Sequence, residues 1–186
     1  LSWFKKLEIK TWANEITINQ HKDDRKTSVE TKKVEYHIIY TEAELESWLE
    51  KLKSSEYFSF DTETTSLNYM EAKIVGISLA IEPFKAVYIP LGHDYLCAPE
   101  QMNCEKTLQK LKKILEDPFI FKLGQNLKYD MNVLKNYGIS LSGIKFDTML
   151  ESYVLDSVGS RHDMDSLALK YLDVKTTSFE EVAGKG

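Results

Sequence analysis

The chain has few cysteines, no long apolar run and no excess of positive charge. It contains two cysteines among 186 residues, Cys97 and Cys104, and they match no metal-binding spacing such as Cys-x-x-Cys. Reduced thiols of this kind are typical of a cytoplasmic protein. No apolar stretch approaches the roughly 20 residues that span a bilayer, and no signal-peptide pattern is present. These absences predict a cytoplasmic globular protein without a membrane segment.

An excess of positive charge and several common catalytic patterns are also missing. The net charge of -5 argues against a module that grips duplex DNA by charge alone. It is compatible with an enzyme that takes a nucleic-acid end and uses bound cations. The four histidines have no metal-ligand spacing, and the sequence contains no glycine-rich phosphate loop or nucleophile elbow. Chemistry that depends on those patterns is therefore excluded.

The pattern of apolar residues predicts an α/β domain that begins near Val34. Residues 1–18 have a mixed composition, and the highly charged stretch 19–33 is typical of a linker. Beyond it, strands alternate with helices, which favours a central mixed sheet flanked by helices. We expect Asp147 and Asp163 to cap the last two helices. The predicted strands are 36–40, 57–61, 74–81, 86–91 and 119–124, and the predicted helices follow Thr41 and Asn103 and cover 127–137, 147–157 and 164–172.

Two carboxylates one residue apart end the predicted strand in the stretch YFSFDTETTSL (57–67). Residues two apart on a strand point to the same side, so Asp61 and Glu63 face together. Open α/β sheets bind ligands at such strand ends. Two like charges at one place are unfavourable unless a cation lies between them, and Mg²⁺ or Mn²⁺ prefers oxygen ligands. A lone Asp-x-Glu pair is more often a turn cap beside a solvated glutamate, and this alternative stays open.

A third carboxylate lies in the predicted helix of GQNLKYDMNVLKNYG (124–138). Asp130 falls on the inward stripe of that helix. The apolar members of the stripe are Leu127, Met131 and Leu134. An ionised carboxylate on a core-facing stripe needs a partner. Either a hydrogen bond or a nearby lysine satisfies Asp130, or it meets Asp61 and Glu63 at a metal site, which is the interpretation we favour.

Five segments of the chain carry a family resemblance. They are FDTETTSL, GQNLKYDMNVLKNYGI, FDTMLESYVLDS, RHDMDSLALKYL and TSFEEVAGKG. In this order and spacing, they resemble the proofreading 3′–5′ exonuclease domain of bacterial DNA polymerase I, a family A polymerase. FDTET alone also occurs in ribonuclease D, whereas GQNLKYD with RHDMDSLALKYL and EEVAGKG is more specific. Residues 1–33 resemble the tail of the preceding 5′-nuclease domain with its linker, and 34–186 resemble the exonuclease domain.

The resemblance implies an RNase H-like fold, truncated at the C-terminus, and a two-metal exonuclease. It implies that Asp61, Glu63 and Asp130 are catalytic metal ligands, with Asp61 bridging two divalent cations. These would be Mg²⁺ or Mn²⁺, with Zn²⁺ as a substitute at one site. The implied substrate is the 3′ end of single-stranded DNA, cut to nucleoside monophosphates during replication and repair. The implied partner is the polymerase domain of the same parent chain, and we expect a monomer.

The resemblance also places five residues near the substrate, and each has a structural alternative. Leu67 matches an apolar residue beside the terminal base, and Phe179 matches an aromatic residue that packs on the terminal nucleotide. The alternatives are a core position for Leu67 and an anchor for the tail of the chain for Phe179. The backbone near Thr64, together with Gln125 and Asn126, would lie near the 3′ end or the metals. For Asn126, helix capping is the role we favour.

One family motif is not found in the chain. The family carries a third motif, Tyr-x-x-x-Asp, on a helix that follows the EEVAGKG segment. Tyr153 is followed four residues later by Ser157, and Tyr171 by Lys175, so neither helix supplies it. Because the chain starts without Met and stops before this motif, we expect a fragment with weak metal binding and little activity. The alternative functions are a non-catalytic DNA-guiding domain and a ribonuclease D-like RNA exonuclease.

Overall fold

A computed structural model of the chain describes residues 34–158, 161–177 and 181. The described strands are β1 Glu35–Ile38, β2 Tyr57–Thr64, β3 Ile74–Glu82, β4 Lys85–Pro90, β5 Phe121–Gly124 and β6 Ile144–Asp147. They form a six-stranded sheet in the order β1-β4-β3-β2-β5-β6. The pairs β2–β3 and β3–β4 are antiparallel, whereas β1–β4, β2–β5 and β5–β6 are parallel. The predicted mixed sheet is therefore confirmed.

Within the described residues, five α-helices accompany this sheet. They are α1 Glu42–Ser54, α2 Cys104–Leu115, α3 Leu127–Lys135, α4 Thr148–Leu155 and α5 Met164–Leu167, which continues as a π-helix over Ala168–Leu172. The predicted caps Asn103, Asp147 and Asp163 accept backbone hydrogen bonds at the starts of α2, α4 and α5. Within the described part of the chain, no helix is long and apolar enough to cross a membrane.

Differences from the sequence prediction include the end of β2, the presence of β6 and the end of α3. β2 runs to Thr64, three residues beyond the predicted 57–61, because β3 continues to pair with it. β6 was not predicted, since a four-residue strand that pairs with β5 alone has too little hydrophobic pattern. α3 ends at Lys135 because the next residues tighten into three-residue turns, in which Gly138 N–H donates to the Lys135 carbonyl.

Alternation along β2 separates the core from the carboxylates. Phe58, Phe60 and Thr62 are buried on one face. On that face the core also contains Ile77 and Leu79 of β3, Val87 and Ile89 of β4, and leucines from α1, α2 and α3. The opposite face carries Asp61 and Glu63. The predicted common direction of these two side chains is confirmed, and the core-forming helices lie on the other side of the sheet.

Candidate active site

The candidate site lies where β2 continues past the end of β5. The two strands pair from Tyr57–Phe121 to Ser59–Leu123, and β5 ends at Gly124. A Cβ atom at Gly124 would lie 2.7 Å from the Phe60 carbonyl oxygen, so glycine permits this close approach. Beyond this point the backbone of β2 no longer has β5 as a hydrogen-bonding neighbour.

Asp130, in the first turn of α3, contacts this edge of β2, which has no neighbouring strand among the described residues. Its Oδ1 accepts hydrogen bonds from the Thr62 backbone N–H at 2.9 Å and from the Thr62 hydroxyl at 2.6 Å. Asp130 is 2% exposed, and a buried carboxylate needs such partners. The hydrogen-bonded alternative for Asp130 is thus observed. The same contact brings Asp130 next to the strand that carries Asp61 and Glu63.

The negative charges of both other carboxylates, Asp130 and Glu63, act on Asp61. Burial, and then the negative charges of Asp130 and Glu63, raise the pKa of Asp61 to about 7. Burial also raises the pKa of Asp130, although its hydrogen bonds from Thr62 act in the opposite direction. Asp61 is therefore unfavourable as a carboxylate at neutral pH unless a positive charge binds beside it.

The donor atoms fit a hard cation, but the ligand geometry is not preformed. Within residues 34–158, 161–177 and 181, no group of three or more acidic, histidine or cysteine side chains is arranged around one ion position. Asp130 has its Oδ1 on Thr62, and Glu63 is exposed. Carboxylate oxygens at a position of strong mutual repulsion are nevertheless the donors that Mg²⁺ and Mn²⁺ prefer.

Tyr129, which the sequence alone does not single out, holds the segment that follows β2. Its hydroxyl lies 2.6 Å from Thr64 Oγ1 and donates to the Ser66 carbonyl. Leu67, one residue further on, is 95% exposed, so the core alternative for Leu67 is wrong. A tyrosine in a half-buried helix position gives no sequence signal of its own, apart from its place directly before Asp130.

Gln125 bridges two neighbouring segments through its side-chain amide. Its Nε2 donates to the His162 carbonyl at 2.7 Å, and its Oε1 accepts from the Thr148 hydroxyl at 2.5 Å. These bonds connect the start of α3 with α4 and with the segment before α5. Phe179 lies outside the described residues, as does the predicted linker in residues 1–33.

The prediction that Asn126 caps α3 with its side chain is wrong. Asn126 occupies the N-cap position, but its side chain makes no capping hydrogen bond. Its φ of 58° is left-handed, a conformation that asparagine adopts more readily than most residues. The capping acceptor is instead the carboxylate of Asp147, which accepts the Asn126 and Leu127 N–H groups from the end of β6.

A tyrosine–histidine pair lies beside Glu63 on the face that carries the carboxylates. Gly76 of β3 pairs with Glu63, and a Cβ atom at Gly76 would overlap the Tyr88 hydroxyl oxygen at 1.7 Å. That hydroxyl lies 2.6 Å from His93 Nε2. Burial raises the pKa of Tyr88 to about 12, and the charge of Glu63 contributes. The sequence alone singles out neither Tyr88 nor His93.

A family profile described as 3′–5′ exonuclease, of the DNA polymerase A type, matches residues 36–186. The chain belongs to this exonuclease family. DNA polymerase I of Pseudomonas aeruginosa is 44% identical over 191 residues, which cover 100% of this chain and 21% of that protein. The exonuclease domain thus spans about a fifth of the length of this curated relative.

Solved exonucleases share the fold of this exonuclease domain. RNase D of Escherichia coli superposes with a TM-score of 0.59 at 21% identity, over 79% of this chain and 36% of that one. NrnC of Brucella melitensis with bound Mg²⁺ superposes with a TM-score of 0.55 at 19% identity, over 83% of this chain and 69% of that one. These similarities confirm the predicted RNase H-like α/β fold.

Proposed function

We propose that this exonuclease domain hydrolyses the terminal phosphodiester at the 3′ end of single-stranded DNA and releases nucleoside monophosphates. The observation that carries the proposal is the electrostatic state of Asp61, which Asp130 and Glu63 make unfavourable without a bound cation. Membership of the 3′–5′ exonuclease family supports the reaction. Similarity to a bacterial DNA polymerase I supports DNA as the substrate and proofreading in replication and repair as the purpose.

In this proposal, Asp61 and Glu63 hold a divalent cation, Mg²⁺ or Mn²⁺, and Asp130 contributes to a second cation. NrnC, which shares this fold, has been solved with bound Mg²⁺. Such ions generate a hydroxide nucleophile at neutral pH and stabilise the leaving oxygen in phosphoryl transfer. Asp61 must lose its proton before it can bind a cation, so its high pKa sets the pH at which the site fills. Asp130 keeps the edge of β2 in place through Thr62.

The segment after β2 is the proposed support for the terminal base. Leu67, three residues after the end of β2, projects an apolar side chain into solvent, and Tyr129 fixes the backbone before it. An exposed leucine on an anchored loop suits contact with a base of any identity, because apolar contact does not read base edges. Thr64, Gln125 and Asn126 lie at the adjoining strand and helix ends, and Phe179 completes the proposed substrate contacts.

The test is degradation of a 5′-labelled single-stranded DNA oligonucleotide with Mn²⁺ or Mg²⁺. Because no helical Tyr-x-x-x-Asp segment lies within residues 1–186, the assay compares this chain with a longer chain that carries one. We expect shortening from the 3′ end by the longer chain, abolished by Asp61→Ala. Glu105→Ala, an exposed acidic residue of α2, is the matched control and should leave the reaction unchanged.

Two outcomes would replace the proposal. If the longer chain binds the oligonucleotide without shortening it, the carboxylates are structural and the domain guides DNA. If an RNA oligonucleotide of the same sequence is degraded faster than the DNA, the substrate is RNA. The 2′-hydroxyl group distinguishes the two polymers, so matched DNA and RNA are the necessary pair of substrates.

A further inference from the structure

Asp147 connects the starts of two helices with a single buried carboxylate. It is 8% exposed and accepts four backbone hydrogen bonds. Its Oδ1 accepts from Asn126 at 3.1 Å, from Met149 at 3.1 Å and from Leu150 at 3.2 Å, and its Oδ2 accepts from Leu127 at 2.9 Å. The first N–H groups of α3 and α4 therefore share one acceptor.

Two helix N-termini directed at one carboxylate make this contact favourable. Each N-terminus presents unpaired N–H groups and the positive end of the helix dipole. Asp147 satisfies both, and its register opposite Gly124 places it directly beside the turn between β5 and α3. The contact is between residues 20 and 21 positions apart, so it fixes α3 relative to the sheet and not merely its own helix.

The groups that Asp147 holds are within one helical turn of Asp130. Asn126 and Leu127 open α3, and Asp130 lies three residues after Leu127. Asp130 then reaches Thr62, beside Asp61. A rotation or shift at the start of α3 would move Asp130 off the edge of β2. The position of the third carboxylate thus depends on the hydrogen bonds at the first turn of its helix.

We propose that Asp147 is a positioning residue of the exonuclease site, which holds the first turn of α3 so that Asp130 meets Thr62 beside Asp61. This inference rests on the proposed function, because Asp147 acts through Asp130 and does not touch the substrate. Nothing in its role requires Asp147 itself to bind a metal. Its four hydrogen bonds are all accepted from backbone N–H groups of this chain.

The variants Asp147→Ala and Asp147→Asn separate positioning from general stability. The asparagine keeps an oxygen at Oδ1, so it can still accept from Met149 and Leu150 and preserve the cap of α4. Its NH₂ group replaces Oδ2 and faces the Leu127 N–H, so the hydrogen bond to the start of α3 is lost. The matched control is Asn103→Ala, which removes the cap of α2 away from the carboxylates. Asp147→Asn also serves as the deciding variant if Asp147→Ala does not fold.

The first measurement is hydrogen exchange of the Thr62 amide in the metal-free chain. We expect faster Thr62 exchange in both Asp147 variants and no change in Asn103→Ala, because Thr62 N–H donates to Asp130. The second is the affinity for Mn²⁺ well below the unfolding temperature, where lost stability alone has no effect. The Asp147 variants should bind Mn²⁺ about 10-fold more weakly or worse, as is usual when a residue that orients a ligand is removed.

The two measurements distinguish failure of this inference from failure of the proposed function. Unchanged Thr62 exchange and unchanged Mn²⁺ affinity in both Asp147 variants would overturn the positioning role. If Asp61→Ala leaves Mn²⁺ binding unchanged, the proposed metal site fails instead. The Thr62 measurement then still decides whether Asp147 places Asp130, because it requires no metal.

Discussion

Replacing Asp61 with asparagine should stabilise the metal-free protein at neutral pH. Burial and the charges of Asp130 and Glu63 raise the pKa of Asp61 from 3.8 to about 7. The folded state therefore holds a proton that the unfolded chain releases, and stability falls as the pH rises between these two values. A shift of about three units, at 1.36 kcal/mol per unit, corresponds to about 4 kcal/mol above pH 7. An asparagine carries no charge and avoids this loss.

The assay is urea denaturation in the presence of a chelator, at about pH 4 and about pH 8. Asp61→Asn should match the wild type at the lower pH and exceed it by about 2–4 kcal/mol at the higher one, the lower figure allowing for partial exposure of the site. Glu105→Gln is the control for removal of an exposed acidic group. Mn²⁺ should then stabilise the wild type and not the variant. An equal difference at both pH values would refute the reasoning, because burial and repulsion act only on the ionised group.

Three further predictions concern side chains around the site. Burial lowers the pKa of Lys122 to about 8, so wild-type stability in urea should rise by about 3 kcal/mol between this pH and about 10.5, and Lys122→Met should lack the rise. Gly124→Ala sets a Cβ atom 2.7 Å from the Phe60 carbonyl oxygen and should cost about 1–3 kcal/mol, read as a lower unfolding temperature. Tyr129→Phe removes the hydroxyl contact with Thr64 and should increase amide exchange in the following segment, while leaving Mn²⁺ affinity unchanged. Constant stability across the alkaline range, an unaltered unfolding temperature or unaltered exchange would contradict the respective prediction.

The parts of the fold that the sequence predicted are those with a strong local pattern. The Thr41–Glu44 capping box and the stripe of Leu108, Leu111 and Leu115 define α1 and α2 without reference to the rest of the chain. The alternation along β3 is equally local. β6 has four residues and pairs with β5 alone, so its existence depends on a neighbour that local pattern does not reveal.

The residues of the site also fall into those with a local sequence signal and those without one. Asp61 and Glu63 could be found from their spacing, and Asp130 from its place on an apolar stripe. The role of Tyr129 depends on a hydrogen bond with Thr64, 65 positions away, and that of Asp147 on one with Leu127, 20 positions away. The local sequence gives no indication of either partner. Asn126 was misassigned because a residue type that favours caps also favours left-handed backbone, and only the structure decides between them.

The repulsion between carboxylates that raises the pKa of Asp61 also favours cation binding. β2 extends beyond β5, so the Thr62 backbone N–H has no partner on that strand. The carboxylate of Asp130 accepts its hydrogen bond instead. That solution places a negative group beside Asp61, which raises the pKa of Asp61 to about 7. A bound cation would remove the repulsion. The stability that the folded protein loses through this repulsion is therefore partly regained as a more favourable free energy of metal binding. Affinity for Mn²⁺ should therefore increase with pH up to about 7 and level off above it, and titrations at several pH values would contradict this linkage if the affinity did not change.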